Sequence, residues 1–306
     1  MDNGTREDLL RRLAEAVGSV TVAHPTRVAI DGPPAAGKTT LADELAVVLR
    51  TRGREVIRAT IENFLTPRSE RYRRGENSAE GCYYDSTDFG TLHRVLLDPL
   101  GPGGNRRFQQ AVYDKVTDTT LSEPVTTAPA DAVLLFDGVF LLRPELIDRW
   151  DLRIFVSAPF EVALDRARIR DQTPFRSATE VERRYRSRYL PSQQFYFDTI
   201  RPTDRADIIV HNDEPHRPAW EVRPLAGAPE QLRPCGGLPH YHAPPPRPVR
   251  LAAHGPPRKG ACGTRAPLVH GACGATGPGD APATGGRRLK LSALRAYLRR
   301  LLPAAA

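Results

Sequence analysis

The chain has 306 residues, of which 40% are hydrophobic, so it is long and apolar enough to build a folded core. It has no run of about 18 apolar residues, which excludes a membrane span, and its polar start MDNGTREDLL is unlike a signal peptide. Its four cysteines are scattered, which excludes a disulfide framework. These features predict a cytoplasmic protein with free thiols. The net charge of +8 belongs to residues 214–306, which hold 14 Lys and Arg against 4 Asp and Glu, so we expect no nucleic-acid binding by the rest of the chain.

The first two thirds of the chain alternate between helical and extended patterns. Apolar residues at helical spacing predict helices around residues 9–17, 41–49 and 162–170. Short apolar runs predict strands at residues 28–30, 55–61, 132–136, 153–156 and 206–210. This alternation predicts an α/β fold with a mostly parallel sheet, in which ligands bind beyond the carboxyl ends of the strands.

A glycine-rich sequence, GPPAAGKT, follows the first of these strands and satisfies the pattern G-x-x-x-x-G-K-[ST]. Gly32 and Gly37 allow the backbone to turn around an anion, and the helix that starts near Lys38 offers unpaired N–H groups. Lys38 would neutralise the β- and γ-phosphates, and the Thr39 hydroxyl would hold Mg²⁺. We therefore predict that a nucleotide phosphate group is bound by Gly32, Pro33, Pro34, Ala35, Ala36, Gly37, Lys38, Thr39 and Thr40.

Acidic residues follow two other predicted strands. Asp137 comes directly after residues 132–136, where a carboxylate is costly without a partner, and Mg²⁺ beside the phosphates would supply one. Glu62 follows residues 55–61 and is the candidate base that accepts the proton of an acceptor hydroxyl. The alternatives are a polar residue that opens a loop for Asp137 and an ordinary charged strand end for Glu62.

A series of motifs extends over about residues 10–213: VAIDGPPAAGKTTLADELA, IENFLTPRSERYRRG, YYDSTDF, VYD, LLFDGVFLL, RIFV and RYLPSQQFYF…RADIIV. With these motifs the chain resembles the uridine kinase and phosphoribulokinase group of P-loop kinases, and most of all its bacterial uridine kinase-like members. It implies a P-loop nucleoside-triphosphate-hydrolase-type sheet of five parallel strands flanked by helices. It also implies ATP with Mg²⁺ as donor and phosphorylation of a hydroxyl on a small molecule.

The same resemblance assigns roles on the acceptor side. Asp85 matches the aspartate that holds the sugar hydroxyls, and Tyr113 matches an aromatic residue that lines the nucleoside site; a turn-capping Asp and a core Tyr are the alternatives. Two positions depart from the family. Glu62 stands where the family has an Asp base and reaches about 1.5 Å further. Asp118 stands where nucleoside-specific members have a histidine.

Arginines complete the predicted site. Arg166 and Arg170 lie four residues apart on one helix face, and Arg176 follows in a loop, as in the family lid that closes over the phosphates. A second group follows Glu62 and comprises Arg68, Arg71, Arg73 and Arg74. A solvated helix face is the alternative for any one of these side chains.

The combined features predict an ATP-dependent small-molecule kinase whose favoured acceptor is the 5′-hydroxyl of uridine or cytidine. Another alcohol, such as pantothenate or a sugar, is an alternative acceptor because Asp118 departs from the nucleoside pattern. An ATP-gated binding module with slow ATPase activity is the alternative from another class. The small-molecule acceptor is the expected partner, and a homo-oligomer is compatible with the sequence.

The kinase domain is predicted to comprise residues 1–213. Residues 214–306 hold 16 of the 29 prolines and few aliphatic residues, which predicts a disordered extension. Leucines between residues 291 and 302 recur at helical spacing opposite arginines and predict a short basic amphipathic helix, suited to a membrane surface or a partner. We favour a terminus without a function over that role.

Overall fold

A computed structural model of the protein describes residues 1–171 and 177–223. The strands are β1 (Asp2–Asn3), β2 (Thr26–Asp31), β3 (Val56–Thr60), β4 (Arg107–Phe108), β5 (Tyr113–Asp114), β6 (Thr119–Thr120), β7 (Thr126–Thr127), β8 (Val133–Gly138), β9 (Leu152–Ser157), β10 (Ile208–His211) and β11 (Ala219–Val222). The α-helices are α1 (Arg6–Ser19), α2 (Lys38–Thr51), α3 (Arg68–Arg71), α4 (Ala79–Tyr84), α5 (Phe89–Leu92), α6 (Phe160–Arg170), α7 (Ala178–Arg184), α8 (Leu190–Ile200) and α9 (Pro202–Arg205). Single turns of 3₁₀-helix span Ile61–Phe64 and Ile147–Arg149, and short π-helical segments span His93–Leu97 and Tyr185–Tyr189.

The central sheet has the strand order β1-β11-β10-β9-β2-β8-β3. The five strands from β10 to β3 run parallel, with Val28 opposite Leu135 and Ile154 opposite Ile208. This confirms the predicted α/β fold with five parallel strands. The short strands β11 and β1 extend the sheet antiparallel beyond β10.

Strand β8 is longer than its sequence pattern predicted. The strand continues to Gly138 because Asp137 still pairs with Ile30 of β2 and Thr60 of β3. All six positions of β8 are buried, as expected of a strand covered on both faces. Asp137 therefore lies inside the carboxyl end of the strand and not in the loop that follows.

Two apolar layers cover the two faces of the sheet. On one face α1 and α2 pack against strand residues such as Val28 and Leu135. On the other face residues such as Ala29 and Phe136 pack against α8 and the segments that follow β3 and β8. The phosphate-loop sequence connects β2 to α2, so the two layers fix both of its ends.

The sheet continues past the boundary predicted after residue 213. β11 pairs with β10, and its Trp220 is 4% exposed and packs in the layer that contains α1. The sequence did not predict this strand because it comprises only four residues and lies in a proline-rich stretch. Residues 224–306, including the predicted terminal helix, lie outside the described residues.

Two further expectations concern membranes and thiols. Within the described part of the chain, no helix is both long and apolar enough to cross a membrane. Cys82 is a buried free thiol, and burial raises its pKa. The other three cysteines lie outside the described residues.

Candidate active site

The phosphate loop has the backbone geometry that its two glycines predict. Gly32 has a φ of 150°, and a Cβ atom there would lie 2.2 Å from the Val156 carbonyl oxygen of β9. Gly37 has a φ of 96°, and a Cβ atom there would lie 2.4 Å from Asn212 Nδ2. That amide donates a hydrogen bond to the Ala36 carbonyl at 2.7 Å. Side chains are excluded at both glycines, which leaves an open backbone cradle of the kind that binds phosphates.

Lys38 begins α2 and is almost fully buried. Its ammonium group reaches back over the loop and donates to the Pro33 carbonyl at 2.7 Å. Burial lowers the pKa of Lys38 to about 8. The carboxylates of Asp31, Asp137 and Glu62 oppose this shift, and the Arg170 guanidinium adds to it. The structure thus brings four of the predicted site residues around one loop: Lys38, Asp137, Glu62 and Arg170.

Thr39 and Asp137 form a hydroxyl–carboxylate pair beside Lys38. Thr39 Oγ1 donates to Asp137 Oδ2 at 2.7 Å, and Arg58 of β3 donates to Asp137 Oδ1 at 2.9 Å. Oxygen atoms of this kind are the ligands that Mg²⁺ prefers, with phosphate and water oxygens completing its shell. The cradle, the lysine and this pair therefore fit ATP with Mg²⁺.

Glu62 lies in the 3₁₀ turn that directly follows β3. Its carboxylate contacts the ammonium group of Lys115, which lies between β5 and β6. The Glu62 side chain is 53% exposed, so an acceptor molecule can reach it. An exposed carboxylate at the carboxyl edge of the sheet is what a base for an acceptor hydroxyl requires.

The Asp85 carboxylate makes contacts that the sequence did not predict. Arg73 donates to Asp85 Oδ1 at 3.0 Å, and Arg74 contacts the other oxygen. The Asp85 side chain is 6% exposed. Sugar hydroxyls that bind Asp85 must therefore compete with two guanidinium groups.

Tyr113 and Asp118 form a second pair on the acceptor side. The buried Tyr113 donates its hydroxyl hydrogen to Asp118 Oδ1, and the backbone N–H of Arg68 donates to the same oxygen at 2.9 Å. The Arg71 guanidinium lies 3.6 Å from Asp118 and 5.4 Å from the centre of the Tyr113 ring. Asp118 is thus held by three neighbours, Tyr113, Arg68 and Arg71.

The three predicted lid arginines differ in what they contact. Arg166 donates to the carbonyl oxygens of Asn212 and residue 213, each at 2.8 Å, which holds it beside the loop that follows β10. Arg170 forms a two-pronged ion pair with Asp171, which raises its pKa. The Arg170 guanidinium also donates to the Tyr185 hydroxyl at 3.5 Å, so its direct partners are Asp171 and Tyr185. Arg176 lies outside the described residues.

The sequence reasoning missed Asp31, the last residue of β2. Its carboxylate is completely buried and accepts hydrogen bonds from the Gly32 N–H at 2.7 Å and the Tyr196 hydroxyl at 2.6 Å. Burial raises the pKa of Asp31, although both hydrogen bonds oppose that shift. The sequence could have indicated Asp31, because it is an acidic residue at the end of a buried strand, as Asp137 is.

Three other contacts of the site have no local signal. Asn212 contacts the phosphate loop from the residue after β10, Lys115 contacts Glu62 from a hairpin, and Arg58 contacts Asp137 from β3. Each pairing joins residues that are far apart in the chain. Such pairings emerge only when the sheet order is known.

The parallel sheet, the phosphate loop and the strand-end carboxylates define the chain as a P-loop kinase. The model of the cytidylate kinase-like family matches residues 27–214, and the chain belongs to that family. Uridine-cytidine kinase B of Dictyostelium discoideum is 27% identical over 190 residues, which cover 61% of this chain and 74% of that protein. Uridine kinase of Mycoplasma pneumoniae is 26% identical over 200 residues, which cover 65% of this chain and 91% of that protein.

A solved structure has the same fold. The structure, described as that of a possible uridine kinase from Bacillus stearothermophilus, is 24% identical and gives a TM-score of 0.53 over 66% of this chain and 97% of that one. The relatives and the family make this chain an ATP-dependent small-molecule kinase of the uridine kinase-like type. This favours the kinase over the binding-module alternative.

Proposed function

We propose that the protein transfers the terminal phosphoryl group of ATP to the 5′-hydroxyl of uridine or cytidine. The observation that supports this most strongly is the position of Glu62 directly after β3, at the same carboxyl edge of the parallel sheet as the phosphate loop that follows β2. An exposed carboxylate at this edge can accept a proton from a hydroxyl that attacks the phosphate. The uridine kinase relatives support a nucleoside as the acceptor.

Each donor-side residue has a role that its contacts suit. Bound ATP with Mg²⁺ supplies the phosphoryl group and neutralises part of its charge. Lys38 holds the β- and γ-phosphates, while Thr39 and Asp137 hold the metal. Arg170 stabilises negative charge as the phosphoryl group moves, and Arg166 supports the wall of the nucleotide site beside Asn212.

The acceptor-side residues suit a nucleoside after one rearrangement. Tyr113 offers an aromatic ring to a pyrimidine, and Asp85 offers acceptor oxygens to a ribose diol. Arg73 is mostly exposed and its hydrogen bond to Asp85 is 3.0 Å long, so it is the guanidinium that a ribose hydroxyl can replace, while Arg74 keeps the other oxygen. Glu62 then accepts the proton of the 5′-hydroxyl.

A second candidate is a kinase of another alcohol, such as pantothenate or a sugar. It is favoured by Asp118, whose carboxylate accepts a hydrogen bond from the Tyr113 hydroxyl. A histidine at this position would instead donate a hydrogen bond to the pyrimidine ring of a nucleoside. A carboxylate accepts hydrogen bonds from hydroxyl groups readily, whereas it cannot donate to a pyrimidine carbonyl.

A panel of acceptors tests the proposal. The full-length protein is incubated with ATP and Mg²⁺ and, separately, with uridine, cytidine, pantothenate and several sugars, and the phosphorylated product is identified by mass. We expect product with uridine or cytidine. Phosphorylation of pantothenate or a sugar alone would contradict the nucleoside proposal and support the second candidate.

A further inference from the structure

The turn that carries Glu62 is attached to the hairpin that carries Lys115. Next to Glu62 in the chain, the Asn63 carbonyl accepts the Val112 N–H at 3.1 Å, and Asn63 Nδ2 donates to the Gln110 carbonyl at 3.3 Å. Both bonds join the turn to the chain that leads into β5. The backbones of Glu62 and Lys115 are therefore fixed relative to each other.

The hairpin loop around Lys115 is itself held by its neighbours. Asp114 accepts the Val116 N–H at 2.8 Å and the Thr117 hydroxyl hydrogen at 2.8 Å. An Asp that bonds the backbone two residues ahead is a standard way to hold a tight turn. Lys115 lies between the residues of this turn, so its side chain starts from a defined position.

The Lys115 ammonium group contacts the Glu62 carboxylate directly. The Glu62 and Lys115 side chains are 53% and 50% exposed. An ion pair this exposed contributes little to folding stability. Its consequence is a restricted orientation of the Glu62 carboxylate, which would otherwise sample several rotamers.

We propose that Lys115 is a positioning residue for the reaction: it holds the Glu62 carboxylate at the acceptor hydroxyl. The ion pair thereby compensates for the additional methylene group of Glu62, since a base misplaced by about 1 Å can slow a reaction roughly a hundredfold. This inference rests on the proposed role of Glu62 as the base.

A double-mutant cycle tests whether Lys115 acts through Glu62. Lys115→Met keeps the length of the side chain and removes its charge. In the wild-type background we expect kcat to fall about fivefold with an unchanged KM for ATP, because the free energy of an exposed ion pair limits how strongly it orients the base. In a Glu62→Gln background the side chain has no carboxylate for Lys115 to orient, and the same substitution should change the residual kcat less than twofold.

Arg149→Met is the matched control. Arg149 forms an ion pair with Asp98 at 2.7 Å, with 41% and 53% of the two side chains exposed, and neither residue belongs to the proposed site. We expect this variant to keep the kcat and the melting temperature of the wild type. An equal fall in kcat for Lys115→Met in both Glu62 backgrounds, no fall in the wild-type background, or an equal fall for Arg149→Met would overturn the inference.

The acceptor for the cycle is the alcohol of the panel that raises ADP release most. If uridine and cytidine have no effect and another alcohol does, the proposed acceptor is wrong and the cycle still decides the role of Lys115. If no alcohol raises ADP release, Glu62 has no base role and the inference about Lys115 is overturned as well.

Discussion

Lys38 carries its charge in a buried position, so nucleotide binding should depend on pH. In the free protein burial lowers the pKa of Lys38 to about 8. Bound phosphates stabilise the ammonium form and raise this pKa, so binding takes up a proton wherever Lys38 is neutral. We expect the Kd for ATP to be constant below pH 8 and to rise about tenfold per pH unit above it.

Equilibrium titration with ATP and Mg²⁺ between pH 7 and pH 9.5 measures this dependence. A Lys38→Ala variant is the control: it should lose turnover and bind ATP weakly at every pH, without the rise above pH 8. A constant Kd for the wild type up to pH 9.5 would show that the pKa of Lys38 is not lowered.

Single residues also show how far sequence reasoning reaches at this site. Asp137 and Glu62 were found because a carboxylate at the end of an apolar strand is a local pattern. Lys115 was missed because its contact with Glu62 spans 53 positions of the chain. Asp31 fits the local pattern and was overlooked, although it is the most deeply buried acid of the site.

At the scale of elements, the junction between β2 and α2 depends on Gly32 as well as on Gly37. At Gly32 a methyl group would meet the Val156 carbonyl at 2.2 Å, and this carbonyl belongs to the paired strand β9. Because a strand backbone cannot withdraw, we expect Gly32→Ala to displace the loop and weaken ATP binding at least about tenfold. Titration with ATP measures the effect.

A different glycine provides the control for this prediction. Gly18 lies in α1, with nothing within 4 Å of the position that a Cβ atom would take. Gly18→Ala should leave ATP binding unchanged and stabilise the fold by about 0.5–1 kcal/mol, measured by denaturant unfolding. Normal ATP binding by Gly32→Ala would contradict the steric argument.

The five parallel strands were predictable because each contains a short segment rich in apolar residues and has an ordinary length. Strands β4 to β7 were not predictable, since each comprises two residues and pairs only with another short strand. The short helices α3, α4 and α5 likewise carry too few residues to show a helical period. The acceptor side is built largely from these short elements, which is why its contacts were the least predictable part of the site.

At the scale of the whole molecule, the described residues include every contact that we assign to catalysis. A chain that ends at Arg223 should therefore keep its turnover. A chain that ends at residue 213 loses β11 and Trp220, and loss of a buried tryptophan costs about 3–5 kcal/mol. We expect the melting temperature of the shorter chain to fall by at least about 6 °C.

Thermal unfolding and kcat of the two truncated chains, measured beside the full-length protein, test this prediction. Equal melting temperatures would show that β11 does not contribute to the fold. A loss of turnover in the chain that ends at Arg223 would show that residues 224–306 take part in activity.

The central claim is that Glu62 accepts a proton from an acceptor hydroxyl beside the phosphate loop. The most direct measurement is acceptor-dependent ADP release by Glu62→Gln, which keeps the size of the side chain and removes its basicity. We predict that this rate falls about a hundredfold or more while ATP binds with unchanged affinity. A near-normal rate would contradict the claim and make Asp85 the next candidate for the base.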